Sequence, residues 1–236
     1  MENPLLAATQ LIESLAPGGR PAPIRTPLDH DECTWFLGAV TAGIINFGGC
    51  PPGCFRLKKR GETGPDHFDT PAGKPRHLFS KPTGDTAWLN REYIPHIAAY
   101  ALAIEHYGYS KIHSSFSLYR SFSRDLISKK QGQSYETDAE FYSHSGDIHL
   151  KMEAKASAMQ TARLVREIEE HGQLTALPQA AAKEVEYVLG LSPAYLWIVG
   201  PGSIDPPRHV YAVTVNGTNA AFTPLNDLPE PPDAVT

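Results

Sequence analysis

The sequence predicts an α/β (α+β) protein, a mixed central sheet flanked by helices, with an irregular N-terminal region. Three observations carry this. Residues 136–157 alternate in polarity in two runs joined by turn residues, the pattern of a β-hairpin. Helical periodicity surrounds that hairpin, at 90–107 before it and at 157–171 and 178–190 after it. Two further apolar runs, AYLWIVG and HVYAVTVNG, then read as strands.

Along the chain the character changes near residue 90. Residues 1–89 are rich in Pro and Gly, with a short helix over 5–15 closed by Pro17-Gly18-Gly19 and an apolar stretch, TWFLGAVTAGIINF, bounded by turn residues. Asn90 is the expected cap of the first long helix, whose face holds Ile94, Ile97, Ala98, Ala101, Leu102 and Glu105, with Gly108 as its stop. Residues 114–130 fit a helix by Leu118, Phe122 and Leu126 and a strand by their Ser, Phe and Tyr content. This gives an N-terminal region over 1–89, a core over 90–225 and a disordered tail over 226–236, where NDLPEPPDAVT is polar and proline-rich.

The 236 residues, 41% hydrophobic, are enough for a sizeable core. No run approaches the ~20 apolar residues of a membrane span, and no basic leader precedes an apolar segment, so a cytoplasmic protein is expected. Three cysteines in that setting argue against a disulfide framework. A formal charge of −5 disfavours a protein that coats nucleic acid. Two basic runs could still hold phosphates: Arg56, Lys58, Lys59 and Arg60, and Lys111, Arg120, Arg124, Lys129 and Lys130. A solvated face explains such runs equally well.

The chemistry concentrates in the hairpin. With Ser145-Gly146 as a two-residue loop, Ala139 meets Met152 and Phe141 meets Leu150 on an apolar face. The same register puts Asp138 opposite Glu153 and Glu140 opposite Lys151, with Lys155 one step on. Like charges in direct opposition destabilise a sheet, and a divalent cation between them removes that penalty. The local pattern also fits a solvent-facing hairpin with Glu140–Lys151 and Glu136–Lys155 pairs, and a one-residue slip would undo the register.

The run from Asp138 through Glu153-Ala154-Lys155, an Asp on one strand and Glu-x-Lys on the next, resembles the PD-(D/E)XK nuclease superfamily, and the resemblance covers about residues 90–217. Thr137 stands where many members have proline. The resemblance implies a restriction-endonuclease-like core and a metal-dependent nuclease. Asp138, Glu153 and the Ala154 carbonyl would be ligands of Mg²⁺ or Mn²⁺, and Lys155 the catalytic lysine. It implies DNA as substrate, RNA being the alternative, no membrane partner, and leaves a homodimer or larger complex open. Members often add a carboxylate from the preceding helix, for which Glu105 is the candidate, and some a glutamine on the following helix, for which Gln160 is. Glu105 can equally reach solvent at its helix end, and Ser157 with Gln160 forms a capping box that alone explains the glutamine. The competing function is a catalytically inactive nucleic-acid or protein binding module of the same fold.

His30, Cys33, Cys50 and Cys54 have ligand types at loosely zinc-like spacing, with Cys50-Pro-Pro-Gly-Cys54 as a turn. The apolar segment between the pairs favours small buried cysteines over a structural zinc. His67, His77, His96, His106 and His113 form no spaced set.

Overall fold

The computed structural model describes residues 3–19, 24, 26–57, 75–80, 87–111, 113–121, 134–170, 179–217 and 219–232. Helix α1 (Pro4–Ser14) starts where the Asn3 side chain accepts from the Leu5 N–H, with proline in the first turn, where its missing donor costs nothing. Helix α2 (His30–Thr41) opens on a capping box between Asp29 and Glu32 and turns Cys33, Phe36 and Ala39 inward. It takes up most of the apolar stretch before strand β1 (Ile45–Asn46). Strands β2 (Cys54–Leu57) and β3 (Arg76–His77) complete a small antiparallel sheet in the order β1-β2-β3.

Helix α3 (Tyr93–Glu105) is buried around its whole circumference from Ile94 to Ile104, not along one stripe. The reason is position: α2 packs on one side and the central sheet on the other. Its N-cap is Glu92, not Asn90, whose carbonyl instead accepts from the Tyr93 N–H.

The central sheet has six strands in the order β4-β5-β6-β7-β8-β9. They are β4 (Ser114–Ser121), β5 (Ser134–Tyr142), β6 (Ile148–Ala154), β7 (Tyr195–Val199), β8 (Val210–Asn216) and β9 (Asn219–Leu225). All neighbours are antiparallel except β6 and β7. A parallel pair needs a crossover connection, here helices α4 (Ala158–Glu170) and α5 (Gln179–Leu191). The fold is therefore α/β, a mixed sheet with helices on both faces. One core joins α1, α2, α3 and the small sheet to Ala139, Phe141, Leu150, Met152 and Trp197. The second lies under α4 and α5, around Leu164, Ile168, Val188, Leu196 and Ile198.

The ambiguous stretch begins as strand β4, because its backbone pairs along β5 from Ser114↔Phe141 to Ser121↔Ser134. The hairpin keeps the expected register, Ala139↔Met152, Glu140↔Lys151 and Phe141↔Leu150, but not the expected loop. Ser143 and Asp147 close the turn, Gly146 adopts φ of 88°, and a one-residue slip between Phe141 and Tyr142 absorbs the difference.

The tail corrects the expectation of disorder as far as residue 232. Leu228 is buried, and Asp227 Oδ1 accepts from the Tyr107 hydroxyl at 2.6 Å. The Pro229 and Glu230 carbonyls accept from the Tyr109 hydroxyl (2.8 Å) and His149 Nε2 (3.1 Å). Composition suggested disorder in part because two of these contacts, at Pro229 and Glu230, run through backbone carbonyls, which any sequence supplies. Among the described residues no helix is long and apolar enough to cross a membrane.

Candidate active site

Asp138 occupies a position where β5 is released from both neighbours. The β4 ladder pairs Phe116↔Ala139 and Leu118↔Thr137 and steps over the residues between them, Ser117 and Asp138. Ser117 has φ of 48°, a left-handed conformation unusual for a residue with a Cβ. On the other side the β6 ladder ends at Ala139↔Met152. Other groups take over the released hydrogen bonds. The Asp138 carbonyl accepts from His96 Nε2 at 2.8 Å, and Asp138 Oδ2 accepts from the Ala154 N–H at 2.6 Å. His96 is itself locked, its ring 3.6 Å from that of Phe116 and nearly parallel to it. Burial pushes its pKa down to about 3, so it is a neutral donor. On the β4 side, Arg76 from the small sheet donates to the Ser117 carbonyl (2.7 Å) and to Glu136 (3.2 Å).

Glu153 lies between two lysines. Its Oε2 accepts from Lys151 Nζ at 3.1 Å and its Oε1 from Lys155 Nζ, which also donates to the Ala154 carbonyl at 3.1 Å. Lys151 reaches a second carboxylate, Glu184 of α5, at 2.9 Å. The alternative of a solvent-facing hairpin does not hold, because this face is covered: Glu140, Lys151, Glu153 and Glu184 are all buried. Glu140 stands opposite Lys151 in the ladder, but its Oε2 accepts from the Tyr142 hydroxyl while Lys151 turns to Glu153 and Glu184, and Glu136 turns to Arg76.

Three carboxylates, Asp138, Glu153 and Glu184, thus act on two ammonium groups, Lys151 and Lys155. Burial first, then Glu153, push the Asp138 pKa well above the usual carboxylate range; Lys155 and the Ala154 N–H pull it back in part, and Glu92 adds to the rise. Burial alone would lower the lysines, but Glu153, Glu184 and Asp138 outweigh it and hold both above the ordinary lysine value. Lys155 is therefore a cation at neutral pH, able to donate but not to abstract a proton.

A polar cavity of about 120 Å³ opens beside Asp138, lined by Asn90, Glu92, Tyr93, His96, Ser117, Glu136 and Asp138. The helix carboxylate near Asp138 is thus Glu92, at the start of α3, and not Glu105. Glu105 lies at the far end, 40% exposed, and pairs with Lys111 at 3.2 Å. Periodicity placed Glu105 on an apolar stripe, but it is the last residue of α3, one position past the buried run that ends at Ile104. Gln160 is exposed and contacts Ser157 as the capping box requires, without joining the site. Sequence reasoning missed Glu92, His96, Lys151 and Glu184. A histidine inside the apolar run IPHIAAYALAI was a signal for His96; the other three depend on long-range packing.

The cysteines do not gather around one point. Cys33 is in the core, its thiol pushed up to about 12 by burial, while Cys54 Sγ contacts His77 Nδ1 at 3.3 Å and His30 pairs with Asp31. Among the described residues no group of three or more His, Cys, Asp or Glu side chains is arranged to hold a metal ion. Most of the two basic runs, including Lys58, Lys59, Arg60, Arg124, Lys129 and Lys130, lies outside the described residues. No family model, no curated protein and no solved structure matches the chain.

Proposed function

We propose that the protein is a divalent-metal-dependent nuclease that hydrolyses phosphodiester bonds, with DNA as substrate. The observation that carries this is the double release of β5 at Asp138, which turns its carboxylate onto the Ala154 N–H, beside Glu153 and Lys155. A strand gives up ladder hydrogen bonds at a cost, and such irregularities concentrate at functional sites. The donors suit Mg²⁺ or Mn²⁺: the Asp138 and Glu153 carboxylates and the Ala154 carbonyl are hard oxygens, and Glu92 lines the cavity beside Asp138. Such an ion supplies Lewis acidity toward the scissile phosphate and the attacking water.

The chain's own groups do the rest. Lys155, held as a cation between Glu153 and the Ala154 carbonyl, faces the charge that grows on the phosphoryl oxygens and orients the water. His96 and the Ala154 N–H fix the Asp138 main chain and side chain, so the carboxylate needs little reorganisation. The three free thiols support a cytoplasmic setting.

A second reading, the same fold binding nucleic acid or protein without cleavage, is favoured by one observation: both Glu153 oxygens are already held by lysines. Incubation with plasmid and single-stranded DNA in Mg²⁺, Mn²⁺ or EDTA separates the two. Metal-dependent cleavage that Asp138→Asn removes supports the nuclease. Retention of DNA on a gel without cleavage in any metal supports the binding module.

A further inference from the structure

Lys151 and Glu184 are a costly choice for a buried position. Lys151 is 0% exposed, and Glu184 is buried against it on α5. Desolvating such a pair consumes most of its Coulombic gain, and apolar residues of the same volume are commonly as stable or more so. Stability alone therefore gives no reason for charge here. The geometry supplies one. The two oxygens of Glu153 are divided between lysines of different accessibility: Oε2 goes to Lys151, fully buried, and Oε1 to Lys155, 20% exposed. The buried contact fixes the carboxylate's rotation and leaves Oε1, with its Lys155 partner, on the less buried side. Helix α5 is fastened to the same place a second time. Tyr187, one turn beyond Glu184, lies 5.1 Å beneath the Lys151 ammonium and donates its hydroxyl to the Glu136 carbonyl on β5 at 3.4 Å.

We infer that Lys151 and Glu184 are positioning residues, a buried brace that turns Glu153 so that it presents one oxygen, Oε1, to the divalent ion. The inference rests on the nuclease reading for the identity of the ligand. Its consequence is that α5, part of the crossover and distant in sequence from the Asp138/Glu153/Lys155 set, is an arm of the site.

The test exchanges the pair for apolar residues together, Lys151→Met with Glu184→Leu. This removes one positive and one negative charge, so the net charge around Asp138 and Glu153 is unchanged and any altered metal requirement reports orientation. Folding is checked by near-ultraviolet circular dichroism and thermal melting, and plasmid cleavage is titrated with Mg²⁺. The expected result is a folded protein that needs at least ~10-fold more Mg²⁺ for half-maximal rate, with its rate at saturating Mg²⁺ within about threefold of wild type, a split that general loosening does not produce. An unchanged Mg²⁺ requirement in the folded variant overturns the inference. If that exchange fails to fold, Lys151→Gln with Glu184→Gln repeats the neutral swap with hydrogen-bonding groups retained, and the same two outcomes apply. If wild type cleaves nothing in any metal, the nuclease reading fails by itself and Mn²⁺ calorimetry decides the brace. Mn²⁺ binding by wild type that weakens at least ~10-fold in the double variant upholds it; equal binding, or none by wild type, overturns it.

Discussion

The two faces of strand β6 are buried to the same degree and built on opposite principles. Leu150, Met152 and Ala154 enter the core beneath α3, while Lys151 and Glu153 enter a charged layer beneath α5. On the first face close packing of hydrocarbon stabilises the sheet. On the second, ammonium and carboxylate groups are held out of water in fixed partnerships, which add little stability and, on the reading proposed above, pre-organise a site. Polarity alternation in a strand therefore marks two environments and not necessarily one wet face.

The largest effect should come from the charged face. Asp138→Ala or Glu153→Ala is expected to lower Mg²⁺-dependent cleavage by ~10³-fold or more, since losing an ion's several kcal/mol of charge stabilisation costs about a decade in rate per 1.4 kcal/mol. Single-turnover assays with melting curves check it, and the fold should persist. Wild-type rates in both variants on every substrate would remove the catalytic role of this face. Next is Lys155→Met, which keeps the apolar stem and deletes the charge. It is expected to cost on the order of 10²-fold in the rate of bound DNA, with affinity measured in Ca²⁺ nearly unchanged. Weak binding with a normal rate on bound DNA would make Lys155 a phosphate clamp instead.

The apolar face should respond in the opposite currency. Met152→Ala empties space in a fully buried core and is expected to cost ~2–5 kcal/mol of stability, read by urea unfolding, with the Mg²⁺ requirement unchanged. A shifted Mg²⁺ requirement would mean that the two faces are mechanically coupled through the strand.

A smaller effect is one of pH. The folded pKa of Asp138 is raised, so between the ordinary carboxylate value and that raised value the folded state binds more protons than the unfolded one. In EDTA, this group's contribution therefore falls as pH rises through that window. His96 acts with the opposite sign, losing stability as pH falls from 6.5 toward 3. Urea unfolding of wild type minus Asp138→Asn isolates the first slope. Asp138→Asn should stabilise the metal-free protein most at the alkaline end, and no pH-dependent difference would mean that Asp138 ionises freely.

How far all this could be read in advance follows from the range of the interactions. The sheet class, the hairpin register and the pairing of Ala139 with Met152 depend on period-two alternation and were legible. The turn was not, because a bulge and a longer loop compensate for each other without changing the pattern. The local sequence brought Asp138 toward Glu153 and Lys155. Lys151 looked like half of an exposed ion pair, because nothing near residue 151 announces that α5, some thirty residues on, will cover it with Glu184.

The smallest expected effect compares the two ends of α3, and it sharpens the distinction between an acid in the charged layer and one on the surface. Glu92 and Glu105 are both acidic and close the same helix. Glu92 lines the cavity and acts on Asp138, whereas Glu105 meets Lys111 in a pair whose members are 40% and 38% exposed. A pair as open as that is screened by water and costs side-chain entropy to hold, so Glu105→Gln should change stability by less than ~0.5 kcal/mol. Its cleavage rate and Mg²⁺ requirement should stay within about twofold of wild type, because a charge at the surface beyond a Debye length of ~8 Å is largely screened from the site. Glu92→Gln, measured beside it, should raise the Mg²⁺ requirement several-fold by removing negative charge that Asp138 feels. Equal behaviour of the two variants would mean that position along α3 does not matter. A larger effect from Glu105→Gln would return the helix carboxylate to the end where periodicity alone had placed it.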